Sequence, residues 1–317
     1  MWCCWPTGAR RAAGCGRSPP RSPDRPAPPV RGCGMNEPNP FLDPARQSEL
    51  YGHASRLAGR TTALMRAKTA GHPVPETIVS LVQTHHTRPD RLGVVLDIGC
   101  GRGTSSLVIA EQLRPRRVVG LDAAPSLLAQ ARERAKDLPD STVEFVEGDF
   151  HDLPLPDGSS DVVVAAFCLY HSPRPQDVVG QIARVLAPGG LAVLVTKGLD
   201  SYQEMDQLVA ATGLDPRAAR HESLYTAAHS GNLADVAASS LDVIAVLDEE
   251  HVFTFDGHDH TAQYLATNPK YDLAPGLYGD PGALAATLHE FLPDQPLTTR
   301  SRITFVVAQP KEGGEPA

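Results

Sequence analysis

Apolar residues between 41 and about 87 recur near helical spacing, at Leu50, Leu57 and Leu64 and again at Ile78, Leu81 and Val82. This spacing predicts helices broken at Gly71-His72-Pro73. The pattern then changes to short β-branched runs over residues 94–98, 118–122, 143–147, 161–166 and 191–196. Helix-like stretches at 104–113, 125–138 and 175–186 lie between them, the last closed by Ala187-Pro188-Gly189-Gly190. Strands this apolar, each followed by a helix, predict a parallel sheet covered on both faces. Beyond residue 196 the rhythm is different. Helices are expected at 201–212 and 218–238, then a long strand at 243–255, an irregular insertion at 256–293 and a final strand at 302–308.

The first 34 residues depart from this pattern, with six Arg, seven Pro and four Cys against one acid, Asp24. Proline interrupts any helix there, and almost no apolar residue follows Trp5, so the segment has no means of building a core. It lacks the apolar run of an export signal after Arg10-Arg11 and the paired spacing of a metal-binding cysteine set. Residues 1–34 are therefore expected to be a disordered leader outside the native protein, with Met35 as the start, residues 35–90 as a helical cap and 91–317 as the main domain. Only Cys100 and Cys168 lie beyond the leader, as expected of a reduced cytoplasmic protein.

The chain has 317 residues, 41% of them hydrophobic, and a formal net charge of −8. That length and apolar content suffice for a sizeable core, and the acidic balance argues against nucleic-acid and anionic-membrane partners. A homodimer is compatible with the chain, although no signature of one is visible.

The densest chemistry follows the first β-branched run, in Leu96-Asp97-Ile98-Gly99-Cys100-Gly101-Arg102-Gly103-Thr104. Three alternating glycines between a strand and a helix let backbone approach a ligand closely. A nicotinamide dinucleotide site would want Gly-x-Gly-x-x-Gly, and here Thr104 stands where the third glycine belongs. Asp97 would repel a pyrophosphate and suits a ligand with cationic groups. Asp122 ends the second run about where doubly wound nucleoside sites grip a ribose, and Asp149 with Phe150 ends the third, suited to an adenine. Each acid alone reads as a turn residue or helix cap; three at successive strand ends point to one ligand crevice.

With these motifs, LDIGCGRG, GLD, EGDFHDLPLPDGSSD and VLAPGGLAVLV, residues 92–198 resemble the class I S-adenosylmethionine-dependent methyltransferases, nearest in pattern to the ubiquinone/menaquinone-biosynthesis type. The resemblance implies a Rossmann-like seven-stranded sheet with helices on both faces and a helical cap. It implies S-adenosylmethionine as co-substrate, its methionine half lined by Gly99, Gly101 and Gly103 with Asp97 close by. The ribose falls to Asp122 and the adenine to Asp149 and Phe150. Lid insertions are expected near 200–240 and 256–293.

The acceptor site is expected beyond the fourth strand, at Phe167, Tyr170 and His171. His171, with Tyr170, takes or orients the acceptor's proton, or His171 is a loop histidine. Tyr51 in the cap closes over the donor or simply packs. Tyr264, Thr267, Asn268 and Tyr271 have the composition of a substrate lid. His85-His86 and His258-Asp259-His260 fit no complete metal set, and no metal is expected. The function read from this is methyl transfer to a small molecule, with a setting in secondary metabolism. Aminocarboxypropyl transfer or cyclisation on the same fold, and a non-catalytic S-adenosylmethionine-binding regulator, remain as alternatives.

Overall fold

The computed structural model describes residues 39–43, 45–47, 50, 54–136, 138 and 143–311. Tyr51 and the leader 1–34 lie outside the described residues. Eight strands form one sheet: β1 (Lys68–Ala70), β2 (Val94–Ile98), β3 (Arg117–Asp122), β4 (Val143–Glu147), β5 (Ser160–Ala166), β6 (Leu186–Lys197), β7 (Leu241–Phe255) and β8 (Leu297–Pro310). Their order is β1-β7-β8-β6-β5-β2-β3-β4. Strands β4-β3-β2-β5-β6 run parallel, and β8, β7 and β1 follow antiparallel.

Nine helices of the described residues are used below: α1 (Ala54–Ala67), α2 (Val74–His85), α3 (Thr104–Leu113), α4 (Pro125–Ala135), α5 (Pro175–Val185), α6 (Gln203–Ala211), α7 (Leu233–Ala238), α8 (His258–Leu265) and α9 (Pro281–Phe291). None of them is long and apolar enough to cross a membrane.

Strand periodicity distributes the core. Leu96, Ile98, Val163 and Ala165 join the cluster under α5 and α7, while Val95, Val162 and Val164 join the one under α2 and α3. Asp97 shares its face with Val95. The parallel part reverses its direction of growth between β2 and β5, since β3 and β4 extend one way from β2 and β6 lies on the far side of β5. Such a reversal leaves a crevice beyond the carboxyl ends of the two strands.

Two expectations are corrected here. The sheet has eight strands, not seven: the extra one, β1, is three residues long, too short to interrupt a helical pattern in sequence. It pairs with Val252 and Phe253 at the sheet edge. Gly71 then turns the chain at φ +92°, and a Cβ there would lie 2.4 Å from the His251 ring. The helix expected over 218–238 survives only as a 3-10 turn at Ala218–Arg220 and as α7. Asn39 explains the break, because its Nδ2 donates to the Leu224 carbonyl at 3.2 Å and to Thr226 Oγ1 at 3.3 Å, holding this stretch as a loop. Helix α2, expected within the cap, packs against α3 and β6 as part of the sheet's covering layer.

Arg184 on α5 fastens the loop that leads from β4 back to β5. Its guanidinium donates to the carbonyls of Leu153 at 2.8 Å and Leu155 at 2.9 Å and to Asp157 Oδ1 at 2.7 Å. Arg184→Met strands two carbonyls, and should lower unfolding free energy by about 2 kcal/mol. Urea denaturation checks this, and a change below about 0.5 kcal/mol, the range of a neutral surface substitution, would mean that the clamp is idle.

Candidate active site

The carboxyl ends of β2 and β5 meet at Gly99 and Cys168. A Cβ on Gly99 would lie 2.4 Å from Cys168 Cβ, so only glycine lets the two ends close. At Gly101, φ is +54° and the nearest atom to an added Cβ is Leu127 Cδ1 at 4.0 Å, which leaves open space before the backbone. The Gly101 N–H donates to Asp122 Oδ2 at 2.8 Å, and the Ala124 N–H donates to Oδ1 at 2.8 Å. Burial pushes the Asp122 carboxyl up against these two bonds. A carboxylate has about four acceptor positions, so two remain for hydroxyls of a ligand.

Asp149 follows β4 on the same rim. Its Oδ1 accepts from the His151 N–H at 2.8 Å and meets His151 Nδ1 at 2.8 Å. Partial burial raises this carboxyl, but the bonds and charge of His151 outweigh it and hold Asp149 below the usual carboxylate range. His151 Nε2 in turn meets the buried Ser172 Oγ at 2.8 Å, tying the two rims together. Phe150 lies beside this histidine, with ring centroids 4.8 Å apart.

These groups line one side of a cavity of about 1000 Å³, whose far side is a chamber of aromatic rings. Phe41 stacks on Tyr170 at 5.5 Å, and Tyr170 meets Tyr225 edge-on at 5.0 Å. Phe167 holds a left-handed backbone at φ +59°, sparsely populated for a side chain of this size, directly after β5. Asp206 on α6 is buried among its partners, with Lys270 Nζ at 2.6 Å and Tyr271 Oη donating at 2.9 Å. Tyr264 and Asn268 complete this wall.

Of the residues singled out in the sequence, Gly99, Gly101, Asp122, Asp149, Phe150, Phe167, Tyr170, His171, Tyr264, Asn268 and Tyr271 all face this cavity. Two do not. Asp97 is 1% exposed behind the glycine loop, where Ser106 Oγ on α3 donates to Oδ2 at 2.5 Å; burial, eased by that bond, raises its carboxyl to about 7. Strand alternation turns it to the α3 side instead of the crevice. Gly103 faces Phe145, whose Cζ would be 2.8 Å from an added Cβ, so it permits close packing under α3. Arg60, His151, Lys197, Tyr202, Tyr225, Asp206 and Lys270 line the cavity without having been identified from sequence. Lys197 lies within residues 92–198, just past the VLAPGGLAVLV motif, but nothing in the order of residues shows that β6 ends at the chamber.

The discounted histidines also find places. His258 Nδ1 lies 3.2 Å from His289 Nδ1, with Asp294 near, and the three donor atoms fall within 4.8 Å of one another. A hydrogen bond between the two rings accounts for the contact. His260 Nε2 meets the Ala63 carbonyl at 2.8 Å.

The sheet order and the crevice define a Rossmann-like nucleoside-binding domain. Residues 96–194 match the sequence profile of a family described as "Methyltransferase domain". Over 97 residues the chain is 38% identical to demethylmenaquinone methyltransferase of Listeria welshimeri, covering 30% of this chain and 41% of that one. Over 152 residues it is 32% identical to malonyl-[acyl-carrier protein] O-methyltransferase of Marinomonas sp., covering 48% and 54%. The matches thus span about half the length, or less, of these curated relatives. A structure from Bacillus halodurans C-125, described as a candidate methyltransferase, superposes with a TM-score of 0.52 at 16% identity, over 74% of this chain and 100% of that one, and shares the fold. The matched segment, residues 96–194, is thus similar to the methyltransferase domain of that family.

His171 faces the chamber between Phe41 and Tyr170, with ring centroids 4.5 and 4.7 Å away. Burial lowers its imidazole from 6.5 to about 4, opposed by a backbone hydrogen bond with Phe41 and reinforced by the Arg60 charge. The residue expected to take or orient the acceptor's proton is therefore a weakly basic ring. Its folded value lies below its unfolded one, so above about pH 6.5 both states are neutral and the group adds no pH dependence. Between 6.5 and 4 the unfolded chain binds the extra proton, and stability falls by up to ~3 kcal/mol as acid is added. His171→Gln should flatten the loss between pH 7 and 4.5 by about 2 to 3 kcal/mol in urea titrations. An equally steep loss in the variant would exclude a buried neutral imidazole.

Proposed function

We propose that this protein transfers a methyl group from S-adenosylmethionine to a small organic acceptor. The observation that carries the reading is that one cavity joins the glycine loop and Asp122 to an aromatic chamber built by residues from both ends of the domain. In this reading the backbone at Gly99 and Gly101 takes the methionine half, Asp122 the ribose hydroxyls, and Asp149 with Phe150 the adenine. The open space before Gly101 and the two unused acceptor positions of Asp122 fit such a ligand. When bound, S-adenosylmethionine supplies a sulfonium-activated methyl, so the protein's task is positioning and exclusion of water.

The chain's own groups divide that task. The rings of Phe41, Tyr170 and Tyr225 enclose the acceptor and keep the site dry. His171, neutral at pH 7, accepts a hydrogen bond from the acceptor and aligns it, Tyr170 beside it shaping the wall. Burial pushes the thiols of Cys100 and Cys168 up, which argues against a cysteine nucleophile. Both thiols are free, in keeping with a cytoplasmic setting, and a tailoring step in secondary metabolism is the setting we favour.

Two outcomes follow. Asp122→Ala should weaken S-adenosylhomocysteine binding by about 1.5 to 3 kcal/mol, partly through loss of the loop's own bond to Gly101. Calorimetry with a folded variant of unchanged affinity would remove Asp122 from the site. Once an acceptor is in hand, kcat should show no limb from His171 between pH 6 and 8, and that limb should lie near 4. A limb near 6.5 that disappears in His171→Gln would make the imidazole the proton acceptor instead.

A further inference from the structure

The crevice side of the cavity carries acids, while the chamber side carries three cations, Arg60, Lys197 and Lys270, against one acid, Asp206. Three acids line the cavity, Asp122, Asp149 and Asp206, and all three are engaged, by backbone N–H groups, by His151, and by Lys270 with Tyr271. Two cations in the chamber are not matched. Arg60 donates from Nη1 to the Thr267 carbonyl at 2.7 Å and meets no acid among the described residues. Lys197 ends β6 inside a cage of rings, its Nζ 5.2 Å from the centroid of Phe167, 4.9 Å from that of Tyr202 and 5.6 Å from that of Tyr225. Its hydrogen bond runs to Tyr202 Oη at 3.0 Å, and it too has no acid partner among the described residues. Both cations act on the Tyr225 hydroxyl, so their fields converge on the same part of the chamber.

Half-buried charges without counter-charges are costly, and ring faces return only part of that cost. A fixed guanidinium fork and an ammonium aimed into an aromatic chamber match a planar ligand that carries an anion. We infer that the acceptor is a small aromatic acid, its carboxylate held by Arg60 and Lys197 and its ring laid among Phe167, Tyr202 and Tyr225. This deepens the methyltransferase reading and rests on it for the word acceptor. The binding site for the acid stands on the charges alone. A cationic amine is disfavoured by the same two groups.

The test uses the full chain and two independent readouts. Calorimetry with S-adenosylhomocysteine reports the methyltransferase reading. Thermal shift and calorimetry with 4-hydroxybenzoate and salicylate, against their methyl esters and benzylamine, report the acid site, with and without S-adenosylhomocysteine. The acids should bind at least tenfold more tightly than the esters or the amine. Lys197→Met and Arg60→Gln should each reduce that affinity tenfold or more and change S-adenosylhomocysteine affinity by less than twofold. Without ligand, Lys197→Met should melt at or above the wild-type temperature, because it removes an unmatched charge; a drop of several degrees would make Lys197 a structural group and overturn the inference. Acids that bind no better than esters overturn it, and so does a tenfold loss of S-adenosylhomocysteine affinity in Arg60→Gln, which would assign Arg60 to the donor. Tight acids with no S-adenosylhomocysteine binding would sink the methyltransferase reading while keeping the anion site.

Discussion

The hydrogen bond from the Gly101 N–H to the Asp122 carboxylate holds together everything around the crevice. It ties the loop after β2 to the end of β3, beside a second tie from the Cys100 N–H to the Leu121 carbonyl at 3.0 Å. With the loop fixed on that side, Gly103 takes its left-handed turn over Phe145 and α3 starts where its Ser106 reaches the buried Asp97. A bond between a backbone donor and a charged acceptor is stronger than a neutral one, and here it is also shielded from water. In the proposed function Asp122 therefore has two duties that are hard to separate, fixing the loop and presenting acceptor positions to the ligand.

The electrostatic character of the cavity follows from which elements contribute to each wall. The crevice wall is made of strand ends that carry acids, and these acids are partly neutralised by local backbone donors. The chamber wall is made by α1, the end of β6, α6 and the turn after α8, and among the described residues one of its three cations, Lys270, is neutralised by an acid, Asp206. A half-buried His171 ring held neutral between Phe41 and Tyr170 adds a hydrogen-bonding group without adding charge. The rings surround these charges with weakly polar matter, and that raises the value of each.

The alternation of apolar runs and helices made the parallel sheet legible, and glycines and acids at strand ends made the crevice legible, because both depend on local pattern. Asp97 lies off the cavity for a local reason too: counting strand ends gives a residue's level in the sheet, but its face depends on the strand's phase, here shared with Val95. The chamber was harder. Tyr264, Asn268 and Tyr271 were recognisable as an aromatic and amide cluster, whereas Arg60 and Lys197 look like ordinary surface cations until the fold turns them inward. Residues 221–232 fall inside the helix expected over 218–238, and the long-range bonds of Asn39 to that loop have no counterpart in local sequence.

The crevice wall comes from a compact stretch of chain, residues 99–151, while the chamber wall draws on positions near 41–60, 167–171, 197–206, 225 and 264–271. The family match, over 96–194, covers the first wall and stops short of most of the second. The two walls are thus encoded by different parts of the chain, joined by a sheet that both need. Insertions and exchanges outside the central segment can remodel the chamber without disturbing the glycine loop or its carboxylate. Two proteins of this build can share one wall almost residue for residue and have nothing in common in the other, so similarity measured along the central segment reports the age of the crevice and not the identity of the guest.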